Sequence, residues 1–69
     1  MFLITEKTIT NINNMEFIMR LETGNELIIY HNGEATATIR CKDVRFVMEL
    51  IIASIMSKAL TLDIRMYEV

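Results

Sequence analysis

Residues 26–41 read ELIIYHNGEATATIRC, a pattern of two strands joined by a tight turn. Asn32-Gly33 is the strongest short hairpin signal in the chain, because Asn and Gly tolerate the positive φ that a two-residue type I′ turn requires. The strands on either side are rich in β-branched and apolar residues. The sequence therefore predicts an antiparallel hairpin, with one strand over Leu27–His31 and the other from about Glu34 to Cys41.

A further strand precedes this hairpin, because apolar and polar residues alternate from Met15 to Glu22. Gly24-Asn25 suits a second two-residue turn, which pairs Leu21 with Ile28. The two turns agree on one apolar face for the resulting three-stranded meander, and that face is the predicted core. Its members are Met15, Phe17, Met19, Leu21, Ile28, Tyr30, Ala35, Ala37, Ile39 and Cys41.

A helix is predicted after the meander, from Val44 to about Lys58. Asp43 suits the N-cap position, and a lysine at the other end suits the helix dipole. At about 100° per residue, the apolar side chains of this helix form two stripes. The main stripe, which should pack on the sheet, contains Val44, Val47, Met48, Ile51, Ile55 and Ala59. The second stripe contains Phe46, Leu50, Ala53 and Ser57.

The second stripe predicts a self-association surface, because a helix on the surface of one domain needs only one apolar stripe. Ile18 and Ile29, on the sheet face opposite the predicted core, are assigned to the same surface. Small domains compensate for a limited core with disulfides, a metal or oligomerisation, and the single Cys excludes a disulfide within the chain. A dimer is therefore expected; the alternative is that a flanking segment of the same chain covers the second stripe.

Two short strands are predicted outside the meander and the helix. Phe2–Ile4 is one, and the alternation of Leu60, Leu62, Ile64 and Met66 with polar residues indicates a last strand. Residues 9–14 contain three Asn and are predicted to form a loop. Residues 1–69 are thus expected to form a single α+β domain, an antiparallel β-meander packed on one amphipathic helix in the order β-β-β-β-α-β.

The composition narrows the class of protein. Apolar residues make up 52% of the 69 positions, charged residues make up 23%, and Pro is absent, which is typical of a folded domain. A net charge of −2 disfavours a general binder of nucleic-acid backbones. The most apolar stretch, Phe46–Met56, is too short to span a bilayer, and no signal peptide is recognised. With an unpaired thiol, the sequence predicts a cytoplasmic protein without a membrane partner.

The sequence offers little chemistry for catalysis. His31 is the only imidazole and is expected to be exposed at the hairpin end, while Cys41 is expected to be a small buried apolar side chain. No phosphate-binding glycine loop, metal-ligand spacing or nucleophile motif accompanies them. We therefore expect a non-enzymatic protein without a cofactor or metal, which associates with itself and with another protein. One alternative is a ligand-binding or enzymatic site formed between subunits, in which His31 or Cys41 finds partners.

A second alternative is a nucleic-acid-binding regulator. Arg40, Lys42 and Arg45 place three cations within six residues at the junction of sheet and helix. Nearby Asp43 and Glu49 dilute this positive charge, so that a solvated junction is the preferred interpretation.

Three pieces of the chain follow a recognisable order of strand, hairpin and capped helix. They are Ile12-Asn13-Asn14-Met15-Glu16-Phe17, Asn32-Gly33, and Lys42-Asp43-Val44-Arg45-Phe46-Val47-Met48-Glu49-Leu50-Ile51. With these pieces, the stretch from Ile12 to Ile52 resembles short flagellar-operon proteins of the FlbD/SwrD type and similar small phage proteins. The resemblance implies a bacterial or phage origin and a non-enzymatic role, such as regulation or inhibition of a host protein. It transfers no functional residue.

Overall fold

A computed structural model of the chain describes residues 1–13, 17–21 and 24–69, the segment 17–21 by its backbone only. The described residues form an α+β fold, which confirms the predicted class and the position of the helix before the last strand. The elements are β1 (Phe2–Ile4), β2 (Ile9–Asn11), β3 (Phe17–Leu21), β4 (Glu26–His31), β5 (Glu34–Arg40), α1 (Val44–Met56), β6 (Thr61–Asp63) and a 3₁₀-helix (Arg65–Tyr67).

The strand β1 is central in a mixed three-stranded sheet with the order β2-β1-β6. β2 pairs antiparallel to it, with Thr10 opposite Leu3, in the segment 9–14 where the sequence predicts a loop. The turn before β2 explains this pairing. The amide of Thr5 donates to the carbonyl of Thr8 at 2.9 Å, and the amide of Thr8 donates to Oγ1 of Thr5 at 3.0 Å. These bonds close a hairpin. The sequence does not predict it, because the Asn residues of this segment favour turns.

The last strand, β6, pairs with β1 in parallel. The amide of Phe2 donates to the carbonyl of Leu60 at 2.8 Å, and the amide of Ile64 donates to the carbonyl of Ile4 at 3.0 Å. A parallel pair needs a long crossover, and here the meander and the helix supply it. The mixed sheet therefore holds the two ends of the fold together.

β3, β4 and β5 form the predicted antiparallel meander, in that order. At the Asn32-Gly33 turn, Tyr30 lies opposite Ala35 as the sequence predicts. Beyond this pair a β-bulge adds one residue to β5, so that Ile28 lies opposite Thr38 instead of the residue before it. Bulges of this kind change which face of a strand each later side chain occupies.

The bulge makes the predicted inner face of β4 wrong. One extra residue in β5 places Ile39 on the same face as Leu27 and Ile29, because side chains alternate along a strand. Leu27 and Ile29 are fully buried, whereas the predicted core residues Ile28 and Tyr30 are half-buried. Of the other predicted core residues, Ile39 and Cys41 are buried, Ala37 is half-buried and Ala35 is exposed, while the side chains of Met15, Phe17, Met19 and Leu21 lie outside the described residues.

The pairing of β3 with β4 also departs from the predicted register. Leu21 lies opposite Glu26 rather than opposite Ile28, a shift of two positions. Because side chains alternate with a period of two along a strand, a register shift of two positions does not change which face of β4 is the inner one. The wrong prediction of the inner face of β4 therefore follows from the bulge in β5 and not from the shifted register of β3.

The core contains side chains from both sheets and from α1. Its buried apolar members are Leu3, Ile12, Leu27, Ile29, Ile39, Cys41, Val44, Val47, Ile51 and Ile64. The helix contributes the predicted main stripe, with Met48 and Ile55 packed at its margin. Asp43 is the predicted N-cap, and its Oδ1 accepts a hydrogen bond from the amide of Phe46 at 3.1 Å.

The helix ends at Met56, two residues before the predicted end. The amide of Ala59 donates to the carbonyl of Ser54, and the amide of Lys58 donates to the carbonyl of Ile55, each at 3.0 Å. This is the Schellman pattern, in which the residue after the C-cap adopts the left-handed conformation. Lys58 has φ of 59°, so a lysine occupies a position that favours glycine.

We expect Lys58→Gly to raise the free energy of unfolding by about 0.5–1 kcal/mol, because glycine removes the left-handed strain. Ser57→Gly is the matched control, since Ser57 has φ of −82° and gains nothing from glycine. We expect this control to lower stability by up to about 1 kcal/mol. Urea unfolding followed by circular dichroism measures both changes, and a loss of stability in Lys58→Gly would contradict the helix end described above.

The chain after β6 turns into the 3₁₀-helix instead of continuing as the predicted strand. The amide of Arg65 donates to Oδ1 of Asp63 at 3.0 Å, a local bond of the kind that ends strands. The Arg65 guanidinium also donates to the Asp63 carboxylate, and these bonds hold the pKa of that carboxyl at about 2. Ile64 remains buried, whereas Leu60 and Met66 of the predicted strand are exposed.

Candidate functional site

The predicted self-association residues separate into three groups. Phe46 and Ala53 on α1 and the C-cap residue Ser57 are exposed, and Leu50 is half-buried, so the second stripe faces outward. Ile29 is fully buried inside the chain, and its assignment to an exposed surface is wrong because the bulge in β5 turns it into the core. The side chain of Ile18 lies outside the described residues.

Phe46 is partly covered by its own chain. Its ring centroid lies 5.3 Å from that of Tyr67, with the two ring planes at 61°, an edge-to-face arrangement. Phe46 still exposes 45% of its surface. The 3₁₀-helix thus covers one end of the second stripe without closing it.

The most exposed large apolar side chains of the helix are two that belong to neither predicted stripe. Ile52 is 48% exposed and Met56 is 77% exposed, and their spacing of four residues places them side by side on α1. Ala53 lies next to both and is also exposed. We call Ile52, Ala53 and Met56 the helix patch. The helix has more apolar positions than the two predicted stripes contain, and this excess is the sequence signal for the helix patch.

A second apolar surface lies on the outer side of the mixed sheet. Leu3 of β1 is fully buried, so its neighbours Phe2 and Ile4 point to the other side of the sheet. Ile9 pairs with Ile4 on that side and is 70% exposed. This surface and the helix patch both point away from the core, but they belong to different elements.

The three cations of the predicted nucleic-acid surface are all exposed. Arg40 lies at the end of β5, where it lines a groove of about 300 Å³ together with Lys7 from the β1–β2 turn. The same groove is lined by the acidic residues Glu6 and Glu68. The positive charge near Arg40 therefore has negative charge beside it, which is unfavourable for a phosphate backbone.

Cys41 lies in the core at the junction of β5 and the helix. Its side chain is fully buried, and burial, with a smaller effect of the Glu68 carboxylate, raises the pKa of the thiol above its ordinary value. A thiol in this environment is a weak nucleophile, because reactivity follows the thiolate form. His31 lies exposed at the end of β4, opposite Glu34.

Among residues 1–13, 17–21 and 24–69, no three His, Cys, Asp or Glu side chains come together in a group that could hold a metal ion. In the described part of the chain, no helix is long and apolar enough to cross a membrane.

Comparison with known proteins gives no relative on which to base an assignment. No family model, no curated protein and no solved structure matches this chain. The resemblance to flagellar-operon and phage proteins therefore stays a prediction.

Proposed function

We propose that this protein is a non-enzymatic interaction module that forms a homodimer through the outer face of α1 and contacts another protein through a second surface. The observation that carries this proposal is the helix patch. Ile52 and Met56 are large apolar side chains, exposed on a helix whose other face already packs on the core. A second copy of the chain would remove this apolar area from water, and each Å² of apolar surface buried lowers the free energy by roughly 25 cal/mol.

The shape of the helix patch supports a helix as its occupant. Ala53 lies beside the larger side chains, and a small residue at such a position lets a second helix approach closely. A standard interface covers about 800 Å² of each partner, which is about one sixth of the 4794 Å² accessible surface of this chain. The helix patch alone is smaller than this, so the interface is expected to extend to the exposed part of Phe46.

The test is the molar mass in solution, measured by light scattering on a sizing column across a range of concentrations. We expect twice the 8.0 kDa of one chain for the unaltered protein. Ile52→Glu should shift the mass to that of the monomer, because it places a charge in the middle of an apolar interface. Circular dichroism should show the same fold, since Ile52 is outside the core.

Ile9→Glu is the matched control. It introduces the same charge at a residue of the same type that is even more exposed, but on the outer side of the mixed sheet. The dimer should survive this change. A monomeric unaltered protein, or a dimer that dissociates with Ile9→Glu and not with Ile52→Glu, would contradict the assignment of the interface to α1.

A further inference from the structure

The exposed side of α1 has the residue spacing of a helix that pairs with another helix. Phe46, Glu49, Ala53 and Met56 are all exposed, and they follow one another at intervals of three, four and three residues. This is the spacing of the a and d positions of a heptad, which form the contact between two paired helices. We call these four residues the outer seam.

The other heptad positions of α1 serve the core of its own chain. Val47 and Ile51 are buried, and Met48 and Ile55 pack at the margin of the core. With the outer seam at a and d, these four residues lie at the b, c and f positions, on the opposite side of the helix. The outer seam therefore contributes nothing to this core and is available to a second helix.

The residues that flank the outer seam favour an antiparallel second helix. One flank contains Arg45 and Ile52, and the other contains Leu50 and the C-cap residue Ser57. A twofold axis along the helices, as in a parallel pair, brings opposite flanks together and places Arg45 beside Leu50 and Ile52 beside Ser57. An axis across the helices, as in an antiparallel pair, brings each flank to its own counterpart. The two copies of Ile52 then lie side by side, as do the two copies of Leu50, and apolar residues meet apolar residues.

The charge on the outer seam also favours the antiparallel pair. In a parallel pair each seam residue faces its own counterpart, so the two Glu49 carboxylates would repel each other. In an antiparallel pair with its axis midway between Phe46 and Met56, Glu49 lies against Ala53 of the second copy, which is small enough to leave it space. Phe46 then lies against Met56, and a thioether contacts an aromatic ring favourably.

We propose that the homodimer is an antiparallel pair of α1 helices, with the twofold axis midway between Phe46 and Met56. This inference rests on the proposed function, because it names how the second copy occupies the outer face of α1. It assigns three contacts between the copies: Phe46 with Met56, Glu49 with Ala53, and Ile52 with its own counterpart.

Disulfide cross-linking between two chains tests these contacts. Chains with Phe46→Cys, mixed with chains with Met56→Cys and oxidised, should form a disulfide-linked dimer that neither variant forms alone. Ile52→Cys should cross-link to itself, because the two copies of this residue lie side by side. The unaltered chain is the control, since its own Cys41 is buried and should form no cross-link. Electrophoresis without a reducing agent measures the linked fraction.

Two substitutions of opposite charge at one exposed residue give a second test. In the antiparallel pair, Ala53→Glu places a carboxylate beside Glu49 of the second copy, whereas Ala53→Lys places an ammonium group there. We expect the dissociation constant of the Ala53→Lys dimer to be lower than that of the Ala53→Glu dimer by about tenfold or more, because each dimer contains the contact twice. In a parallel pair each new charge would face its own copy, and both variants would be weakened alike. Light scattering over a range of concentrations gives the two constants.

Two results would overturn the antiparallel arrangement: cross-linking of Phe46→Cys to itself as readily as to Met56→Cys, or equal dissociation constants for Ala53→Glu and Ala53→Lys. A dimer that Ile52→Glu dissociates, but that gives either of these results, defeats only this inference. A monomeric unaltered protein defeats the proposed function and this inference with it.

Discussion

Ile51→Ala is expected to lower the free energy of unfolding by about 2–4 kcal/mol, while the same change at the next residue, Ile52→Ala, changes it by less than about 0.5 kcal/mol. Ile51 is fully buried among the side chains of the core, and its truncation removes apolar contacts and leaves a cavity. Ile52 is about half exposed, and alanine is the better helix former there. The two isoleucines therefore form a matched pair on one helix.

The total stability makes the difference easy to observe. A domain of 69 residues has a free energy of unfolding of about 3–10 kcal/mol, so the change at Ile51 is a large part of it. Urea unfolding should be measured at a protein concentration low enough that the unaltered chain and both variants are monomers, because dimer formation would add to the stability. Equal losses at the two positions would show that the helix is rotated relative to the face described here.

The contrast between Ile51 and Ile52 was open to sequence analysis, because it follows from the helical period alone. Val44, Val47 and Ile51 recur at the spacing of one helix face, and Asp43 has the side chain of an N-cap. These signals are local and involve no pairing with another element. The helix and its buried face were for this reason predicted correctly.

The inner face of the meander could not be predicted from a local pattern in the same way. The turn at Asn32-Gly33 was predicted correctly, and the alternation was then extended along β5 without interruption. The bulge in β5 brings Ile39 to the same face as Leu27 and Ile29, and no local pattern of residues predicts it. One extra residue was enough to move Ile29 from the predicted interface into the core.

The exposed surfaces were predicted only in part. The second stripe on the helix led to Phe46 and Ala53, which are exposed, but not to Ile52 and Met56 beside them. The groove beside β5 was missed, because it brings Lys7 next to Arg40 from a distant part of the chain. Such a site depends on the packing of the β1–β2 turn against the edge of the meander. Residue spacing in the sequence does not predict this packing.

Cys41 is expected to react with an aromatic disulfide reagent more slowly in the folded chain than in the unfolded chain, by a factor of ~10² or more. The side chain is fully buried, and its sulfur lies 3.9 Å from the carbonyl oxygen of Ile39. Burial, followed by the charge of Glu68, raises the pKa of the thiol, so the reactive thiolate is scarce even where a reagent approaches. Reaction therefore requires the core to open.

The rate of this reaction in turn measures the fraction of molecules in which the core is open. When opening and closing are faster than the chemical step, the observed rate is the rate of the unfolded chain multiplied by the fraction that is open. Ile51→Ala should then accelerate the labelling of Cys41 by about 30-fold to 1000-fold, the factor that corresponds to a loss of about 2–4 kcal/mol. Ile52→Ala should leave the rate nearly unchanged. A Cys41 that reacts rapidly in the unaltered chain, with no response to Ile51→Ala, would place the thiol at the surface and contradict its burial at the junction of β5 with the helix.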